Sequence, residues 1–268
     1  MLEIPRRDDV AEVVRSRYRG LEELLGDPPD ALIVTGTEPK HSSLLSEPYW
    51  PALARLLEWA ADRVPATMLS CLAAHASVLL FDGIERVPGA RKCSGVFAGA
   101  VRDPDDPLVA DLPGRVPVPH SRVNSVPEEA LVEAGYRVVI GSGPAGGGWA
   151  LATRFYGDRL FVLSQGHPEY STLSLLREYR RDVRRTLLGG GAVPYPYLPE
   201  GYLNAEAAAV LERFAERAAA GREDPVKLWA AFPFEQVAVT VGNTWAQPSA
   251  VLYANWLALA RTAAAVHG

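Results

Sequence analysis

The chain has 268 residues, of which 48% are hydrophobic and 22% are charged, and its formal net charge is −5. This composition is ordinary for a globular protein with a large core, and the acidic balance supplies no basic field to attract nucleic acid or an anionic membrane. No run of roughly 18 or more apolar residues occurs, so we expect no transmembrane helix.

Cysteine and histidine usage narrows the class further. Two cysteines, Cys71 and Cys93, are too few for a disulfide framework in a chain of this length, and the first residues lack the apolar stretch of a secretory signal. We therefore expect a reduced, cytoplasmic protein. The five histidines include no close pair at metal-ligand spacing, so we expect no metal site.

The first part of the chain predicts strands that alternate with helices. Apolar periodicity predicts helices over 10–25, 49–63 and 72–82, and short buried strands over 31–36 and 66–70. This order indicates an α/β fold with a parallel sheet covered by helices on both faces.

The second part of the chain is more mixed. Residues 103–119 are rich in proline and aspartate and predict an irregular surface loop, and the prolines of 193–199 exclude regular structure there. We predict a strand over 136–140, a hairpin of 149–156 with 159–163, and helices over 171–188, 204–220 and 249–265. We interpret 1–268 as a single domain with an atypical segment over 1–30 and a helical extension over 189–268.

Cys71 stands where the strand over 66–70 is predicted to turn into a helix. A helix N-terminus favours the thiolate, which is the nucleophilic form of cysteine. The backbone N–H of Leu72 would then be the first donor of an oxyanion hole. The alternative is a buried structural thiol, and cysteine is among the most buried residue types. Cys93 has no comparable setting and is interpreted as structural.

His167 follows the predicted hairpin, in the run Gln165-Gly166-His167-Pro168-Glu169. His167 would act as the base, and Glu169 would hold its tautomer, so that Cys71, His167 and Glu169 form a triad for acyl transfer or amide chemistry. The alternative for His167 is a loop histidine that hydrogen-bonds to backbone. His75, one helical turn after Cys71, is an alternative base, although this spacing more often marks packing or a substrate contact.

An ordered set of short stretches resembles the homoserine O-acyltransferase family of the homoserine transsuccinylase type. It covers roughly residues 30–260. The stretches are Leu32-Ile33-Val34-Thr35-Gly36, Tyr49-Trp50-Pro51, Leu57-Glu58-Trp59, Cys71 with Ala73, Asp82-Gly83-Ile84, Ser94-Gly95-Val96-Phe97, Pro119-His120-Ser121-Arg122, Gly166-His167-Pro168-Glu169-Tyr170, Arg181-Asp182, Val193-Pro194-Tyr195 and Asn255-Trp256-Leu257.

This resemblance implies a three-layer α/β/α, class I glutamine amidotransferase-like (flavodoxin-like) fold. It also implies acyl transfer from acyl-CoA to a hydroxy amino acid through a thioester on Cys71, with no cofactor. Arg181 falls where the family holds the amino acid's carboxylate, which suits a planar guanidinium. Alternatively, Arg181 pairs with Glu178 or Asp182 on a solvated helix face. The remaining candidate substrate contacts are Ser121, Arg122, Lys92, Gly36, Thr37 and His75.

The chain departs from the family pattern beside the nucleophile. Leu72 and His75 stand where the family usually has Trp and Gln. Lys40 aligns with the position that carries Gly in succinyl-transferring and Glu in acetyl-transferring members. We therefore hypothesise that Lys40 pairs with the distal carboxylate of a succinyl group. The alternative is a solvated loop charge.

The segment before the first strand also differs, because family members carry a further strand and helix there. We expect a shortened fold, or an edge covered by a partner or second subunit, and a homodimer is the default. The expected acceptor is homoserine or serine. Two alternatives stay open: a glutamine amidotransferase or amidase-like hydrolase, and a non-catalytic relative that binds a ligand or partner.

Overall fold

The computed structural model describes residues 8–143, 148–189 and 193–267, so the predicted N-terminal segment and C-terminal extension lie partly outside it. Within these ranges the chain forms ten α-helices and seven β-strands. The helices are α1 (Asp8–Arg17), α2 (Leu21–Gly26), α3 (Trp50–Arg63), α4 (Leu72–Asp82), α5 (Glu128–Glu133), α6 (Ser174–Leu188), α7 (Ala205–Ala220), α8 (Pro225–Ala230), α9 (Phe234–Ala238) and α10 (Ala246–His267). The strands are β1 (Ala31–Val34), β2 (Ala66–Ser70), β3 (Val87–Val101), β4 (Arg115–Ser125), β5 (Arg137–Gly143), β6 (Gly148–Tyr156) and β7 (Arg159–Ser164).

The strands form one sheet in the order β1-β2-β7-β6-β5-β3-β4. β1, β2 and β7 are parallel, as predicted, whereas every other pairing in the sheet is antiparallel. The short connection between β6 and β7 explains part of this difference, because a tight hairpin can join only antiparallel strands. The predicted hairpin is confirmed, and the sheet is mixed.

Helices cover both faces of the sheet, which confirms the predicted three-layer arrangement. Leu69 and Phe161 face a core shared with α3 and α4. Their neighbours Met68 and Val162 point to the opposite face and pack with Trp256 of α10. Successive strand residues alternate between faces, and here both faces are apolar, as expected for central strands buried on two sides.

The segment predicted as one helix over 10–25 forms two helices. α1 ends at Arg17 and α2 begins at Leu21, with Gly20 in an extended conformation (φ −74°, ψ 165°) as the residue before α2. Glycine loses more conformational freedom in a helix than any other residue, which accounts for the break. α3 and α4 match their predicted bounds within one residue.

The prediction of an irregular loop over 103–119 is wrong in its second half. β4 begins at Arg115, and its partner β3 was not predicted at all. Pro117 and Pro119 lie on β4, which forms the edge of the sheet and pairs with β3 alone. Proline is tolerated on an edge strand because its missing N–H can face away from the neighbouring strand. Residues 115–119 of the predicted loop, and the candidate substrate contacts Ser121 and Arg122 after them, are therefore part of a strand.

A third apolar cluster joins α6, α7, α8 and α9 around side chains such as Leu176, Phe214 and Trp245. This helical part is tied to the sheet at Gly95 of β3. The N–H of Val96 donates to the Glu200 carbonyl (2.7 Å), and the N–H of Glu200 donates to the Ser94 carbonyl (2.9 Å). The contact fixes the segment between α6 and α7 against the sheet.

Gly95→Ala should destabilise the protein. Gly95 has φ +147°, and an added Cβ would lie 2.1 Å from the Glu200 carbonyl oxygen. We expect the free energy of unfolding to fall by about 2 kcal/mol or more in denaturant titrations. Gly114→Ala is the matched control, because its Cβ would meet nothing within 4 Å. Equal effects of the two substitutions would contradict this account.

Candidate active site

Cys71 occupies a strained backbone position between β2 and α4. Its φ of 50° and ψ of −109° are unusual for a residue with a Cβ, and such strain persists only where the surroundings enforce it. The Cys71 N–H donates to the Ser164 carbonyl (2.7 Å), and the His75 N–H donates to the Cys71 carbonyl (3.1 Å). The half-buried sulfur is thereby presented at the first turn of α4.

The backbone around Leu72 can accommodate a developing negative charge. Leu72 is the first residue of α4, so its N–H has no intrahelical acceptor. The loop after β1 lies directly on it, because a Cβ added to Gly36 would stand 2.9 Å from the Leu72 nitrogen and 3.2 Å from the Ser70 oxygen. The close approach requires glycine at position 36 and brings the backbone of 36–37 beside the Leu72 N–H.

His167 reaches the same region because β7 pairs in parallel with β2. Ser70 and Ser164 are paired in register, so the two strands end side by side, and Cys71 and His167 follow at the same edge. The His167 N–H donates to the Pro119 carbonyl (2.8 Å) of β4. Gly166 allows this packing, since a Cβ there would lie 2.8 Å from the same carbonyl oxygen.

Glu169 orients the imidazole of His167. Its Oε1 lies 2.8 Å from the His167 Nδ1 and also accepts a hydrogen bond from the Ser70 hydroxyl (2.8 Å). With Nδ1 engaged, Nε2 is the atom left to act on the thiol of Cys71. Nε2 is buried and has no hydrogen-bond partner among the described residues. The predicted triad residues are thus brought together.

The pKa values of the histidine and the carboxylate shift in opposite directions. Burial lowers the pKa of His167, but its interactions with Cys71 and Glu169 outweigh burial and raise this pKa to about 10. Burial raises the pKa of Glu169, but hydrogen bonds from His167 and Ser70 bring it below its usual value. At neutral pH, a protonated His167 therefore stands between two acidic groups.

His75 lies in the core and is bonded to Gln165. Its side chain is buried, its Nε2 is 3.2 Å from the Gln165 Oε1, and that oxygen also accepts the Val126 N–H (3.1 Å). Burial lowers the pKa of His75 to about 3, with Arg122 adding to the effect. His75 is consequently neutral, and its side chain forms a hydrogen bond with Gln165.

Ser121 and Arg122 point to opposite sides of β4. Ser121 donates to Glu178 of α6, whereas the buried Arg122 places its Nη1 2.5 Å from His120 Nδ1 and 3.6 Å from the Cys93 sulfur. Burial lowers the pKa of Arg122, and the charges of Cys93 and Cys71 act in the opposite direction. Arg122 thus supplies a buried positive charge near the nucleophile.

Glu178 links His167 to α6, and the sequence patterns gave it no site role. It accepts from the Tyr170 hydroxyl (2.6 Å), and the Tyr170 ring stacks on His167 with centroids 4.1 Å apart. Lys92 lies 2.7 Å from Asp182 and 3.5 Å from Glu178. The i, i+4 spacing of Glu178 and Asp182 was the available signal, since it puts both carboxylates on one helix face.

Arg181 is half-exposed and surrounded by carboxylates. Its nearest is Asp182 (3.0 Å), followed by Glu38 (3.8 Å) and Glu178 (3.9 Å). Glu38 also forms a two-pronged ion pair with Arg185 (2.6 and 2.7 Å), which joins the loop after β1 to α6. The sequence offered both a substrate role and a helix-surface pairing for Arg181, and in this structure the surface pairing is present.

The side chain of Lys40 is exposed and forms no ion pair within the described part of the chain. Its backbone N–H donates to Glu47 Oε1 (2.6 Å), as does that of His41 (2.7 Å). The described residues contain no group of three or more His, Cys, Asp or Glu side chains that could hold a metal ion, and none of their helices is both long and apolar enough to cross a bilayer.

Comparison with known proteins gives a consistent set of matches. A family model described as homoserine O-succinyltransferase matches residues 1–264. A homoserine O-succinyltransferase of Methylorubrum extorquens is 47% identical over 237 residues, which cover 88% of this chain and 69% of that protein. One from Thiothrix nivea is 39% identical over 255 residues, covering 95% and 69%. The solved structure of SMU.1228c, at 15% identity, gives a TM-score of 0.52 over 88% of this chain and 81% of its own, which shows the fold alone.

Cys71→Ser should lower the pKa of His167, because Cys71 is one of the two groups that raise it. NMR titration of the imidazole Cε1–H measures this pKa directly. We expect the midpoint to move from about 10 toward the ordinary value of 6.5. An unchanged midpoint would show that Glu169 alone holds the proton.

The interactions of His167 with Cys71 and Glu169 should also make the stability of the protein depend on pH. The pKa of His167 is higher in the folded protein than its ordinary 6.5, so its contribution is complete below about pH 6.5 and is lost as pH rises toward 10. We expect the difference in unfolding free energy between the wild type and His167→Gln to shrink across this window. A difference that stays constant or grows with pH would contradict the assignment.

Proposed function

The chain belongs to the homoserine O-succinyltransferase family, and we propose that it transfers a succinyl group from succinyl-CoA to the side-chain hydroxyl of homoserine. The observation that carries this proposal is the spatial arrangement of Cys71, His167 and Glu169. The sulfur lies at a helix N-terminus, and the imidazole is held by a 2.8 Å contact to the carboxylate. The proposed reaction needs an acyl-CoA as co-substrate and no cofactor.

In the first half-reaction, the Cys71 thiolate attacks the thioester carbonyl carbon of the acyl-CoA. The Leu72 N–H and the backbone of 36–37 stabilise the oxyanion that forms. A new carbon–sulfur bond to Cys71 then replaces the bond to CoA, and His167 delivers its Nε2 proton to the departing CoA sulfur. The buried Arg122 contributes a positive charge near the Cys71 sulfur.

In the second half-reaction, the acylated sulfur no longer carries a charge that holds a proton on His167. The pKa of His167 therefore falls, and the neutral imidazole accepts the hydroxyl proton as the homoserine oxygen attacks the Cys71 thioester. Collapse of the tetrahedral adduct releases O-succinylhomoserine and regenerates the thiolate beside a protonated His167. Glu169 keeps the same tautomer ready in both halves.

Arg181 and its neighbours support binding of an amino acid. A substrate carboxylate would compete with Glu38 and Asp182 for the guanidinium, while the surrounding carboxylates offer partners for the ammonium group. Ser121 and Lys92, which contact Glu178, border the same space.

We further infer that residues 1–268 act as one domain. We also infer that the protein forms a homodimer, and sedimentation analysis tests this oligomeric state.

Incubation with succinyl-CoA alone should add one succinyl group to Cys71, and homoserine should remove it. Intact-mass measurement followed by peptide mapping detects the adduct, and Cys93→Ser, which should retain it, is the control. Cys71→Ser and His167→Ala should each lower kcat/KM by roughly 10³-fold, or about 4 kcal/mol, with a non-additive double variant. Glu169→Gln should cost less.

The outcomes separate the competing functions. Serine discharging the adduct better than homoserine would change the acceptor and keep the chemistry. Glutamine hydrolysis without an acyl adduct would indicate an amidase-like enzyme. A folded protein with neither activity would indicate a relative that only binds a ligand or partner.

A further inference from the structure

Arg86 binds the backbone of the loop that follows β1, and one of its N–H donors has no acceptor among the described residues. Its Nη2 donates to the carbonyls of His41 (3.0 Å) and Ser42 (2.9 Å). Its Nε is buried and has no hydrogen-bond partner among the described residues. Buried donors are nearly always paired, so an orphaned guanidinium N–H marks a place where an acceptor is missing.

Tyr49, the residue before α3, presents a second unpaired donor. Its side chain is only 6% exposed, and its hydroxyl has no partner among the described residues. Burial, together with the charge of Glu47, raises the pKa of Tyr49 to about 12, so the group is an O–H donor at neutral pH. The two orphaned donors border the same loop. Arg86 binds the carbonyl of His41. Glu47, two residues before Tyr49, accepts the N–H of His41 (2.7 Å), and the electrostatic interaction of Arg86 with Tyr49 agrees with this placement.

This neighbourhood adjoins the nucleophile. The loop that Arg86 holds starts at Gly36, which touches the Leu72 nitrogen at the oxyanion site. Arg86 also interacts electrostatically with Cys71 and with His75, one turn into α4, which agrees with this placement. The loop after β1 thus connects the Arg86 guanidinium to the turn that carries Cys71.

The other charged side chains of this loop either form hydrogen bonds within the protein or are exposed to solvent. Glu47 is buried, and its Oε1 accepts the backbone N–H groups of Lys40 and His41. Glu47 thus holds the loop by accepting hydrogen bonds from backbone N–H groups, and Arg86 holds it by donating hydrogen bonds to backbone carbonyls. Lys40 takes part through its backbone and leaves its ammonium group exposed.

We propose that Arg86 and Tyr49 bind the distal carboxylate of the acyl group, with the Arg86 Nε and the Tyr49 hydroxyl as donors. This inference rests on the proposed function. A succinyl thioester carries a carboxylate two methylene groups beyond its carbonyl, and that carboxylate would satisfy both donors with charge-assisted hydrogen bonds. An acetyl group would leave both buried donors unpaired, and a site of this kind discriminates strongly against a substrate that lacks the acceptor. Arg86, rather than Lys40, is then the cation that selects the donor.

The first test compares succinyl-CoA with acetyl-CoA in Tyr49→Phe, Arg86→Gln and the control Lys40→Gln. We expect the ratio of kcat/KM values, succinyl over acetyl, to fall at least 10-fold in the first two variants and to stay within twofold in the control. Equal losses for both donors would assign Arg86 and Tyr49 a purely structural role and overturn the proposal. A ratio that falls only in Lys40→Gln would overturn it in favour of Lys40.

The second test does not need turnover. In a Cys93→Ser background, succinate should slow alkylation of Cys71 by iodoacetamide, whereas butyrate, which lacks the second carboxylate, should not. The protection should disappear in Tyr49→Phe and Arg86→Gln, and Tyr49→Phe decides if the arginine variant fails to fold. Protection without any acyl transfer would refute the proposed function and keep this subsite. Succinyl transfer without any protection by succinate, and with an unchanged donor ratio in the variants, would support the proposed function and refute this subsite.

Discussion

The hydrogen bond from the Cys71 N–H to the Ser164 carbonyl is the constraint on which the site depends. It continues the parallel pairing of β2 and β7 by one residue beyond the end of β2, and so it holds a strained cysteine against the end of the strand that leads to His167. The proposed nucleophile and the proposed base, which are far apart in the chain, are thereby placed by backbone geometry. Glu169 and Ser70 then refine the orientation of the imidazole.

Close backbone contacts complete this arrangement. Gly36 lets the loop after β1 lie on Leu72, and Gly166 lets the His167 segment lie on β4. Buried charges adjust the chemistry within that frame, since His167 gains a proton affinity that depends on the state of the sulfur beside it. In the proposed reaction, packing thus sets the positions of the groups, and electrostatics sets the order in which protons move.

Local patterns predicted the elements that carry the nucleophile. β2 and α4 have their predicted bounds, because a short apolar strand and an Ala- and Leu-rich helix are encoded by adjacent residues. β3 and β4 were missed, since the strand character of Pro117 and Pro119 depends on their edge position. The triad of Cys71, His167 and Glu169 was predicted from the strand-to-helix position of the cysteine and from the His-Pro-Glu run, and the family resemblance supported it. The contacts of Glu178 and Arg86 depend on distant segments, which periodicity does not register.

The Glu38–Arg185 ion pair has a consequence for how specificity can change. It ties the loop that frames the proposed acyl subsite to the helix that bears Arg181. A substitution that reshapes the loop for a different thioester therefore also shifts the residues facing the nucleophilic alcohol. Selectivity for the acyl donor and selectivity for the acceptor would therefore change together, and evolution toward a new donor would also alter the preference for the acceptor.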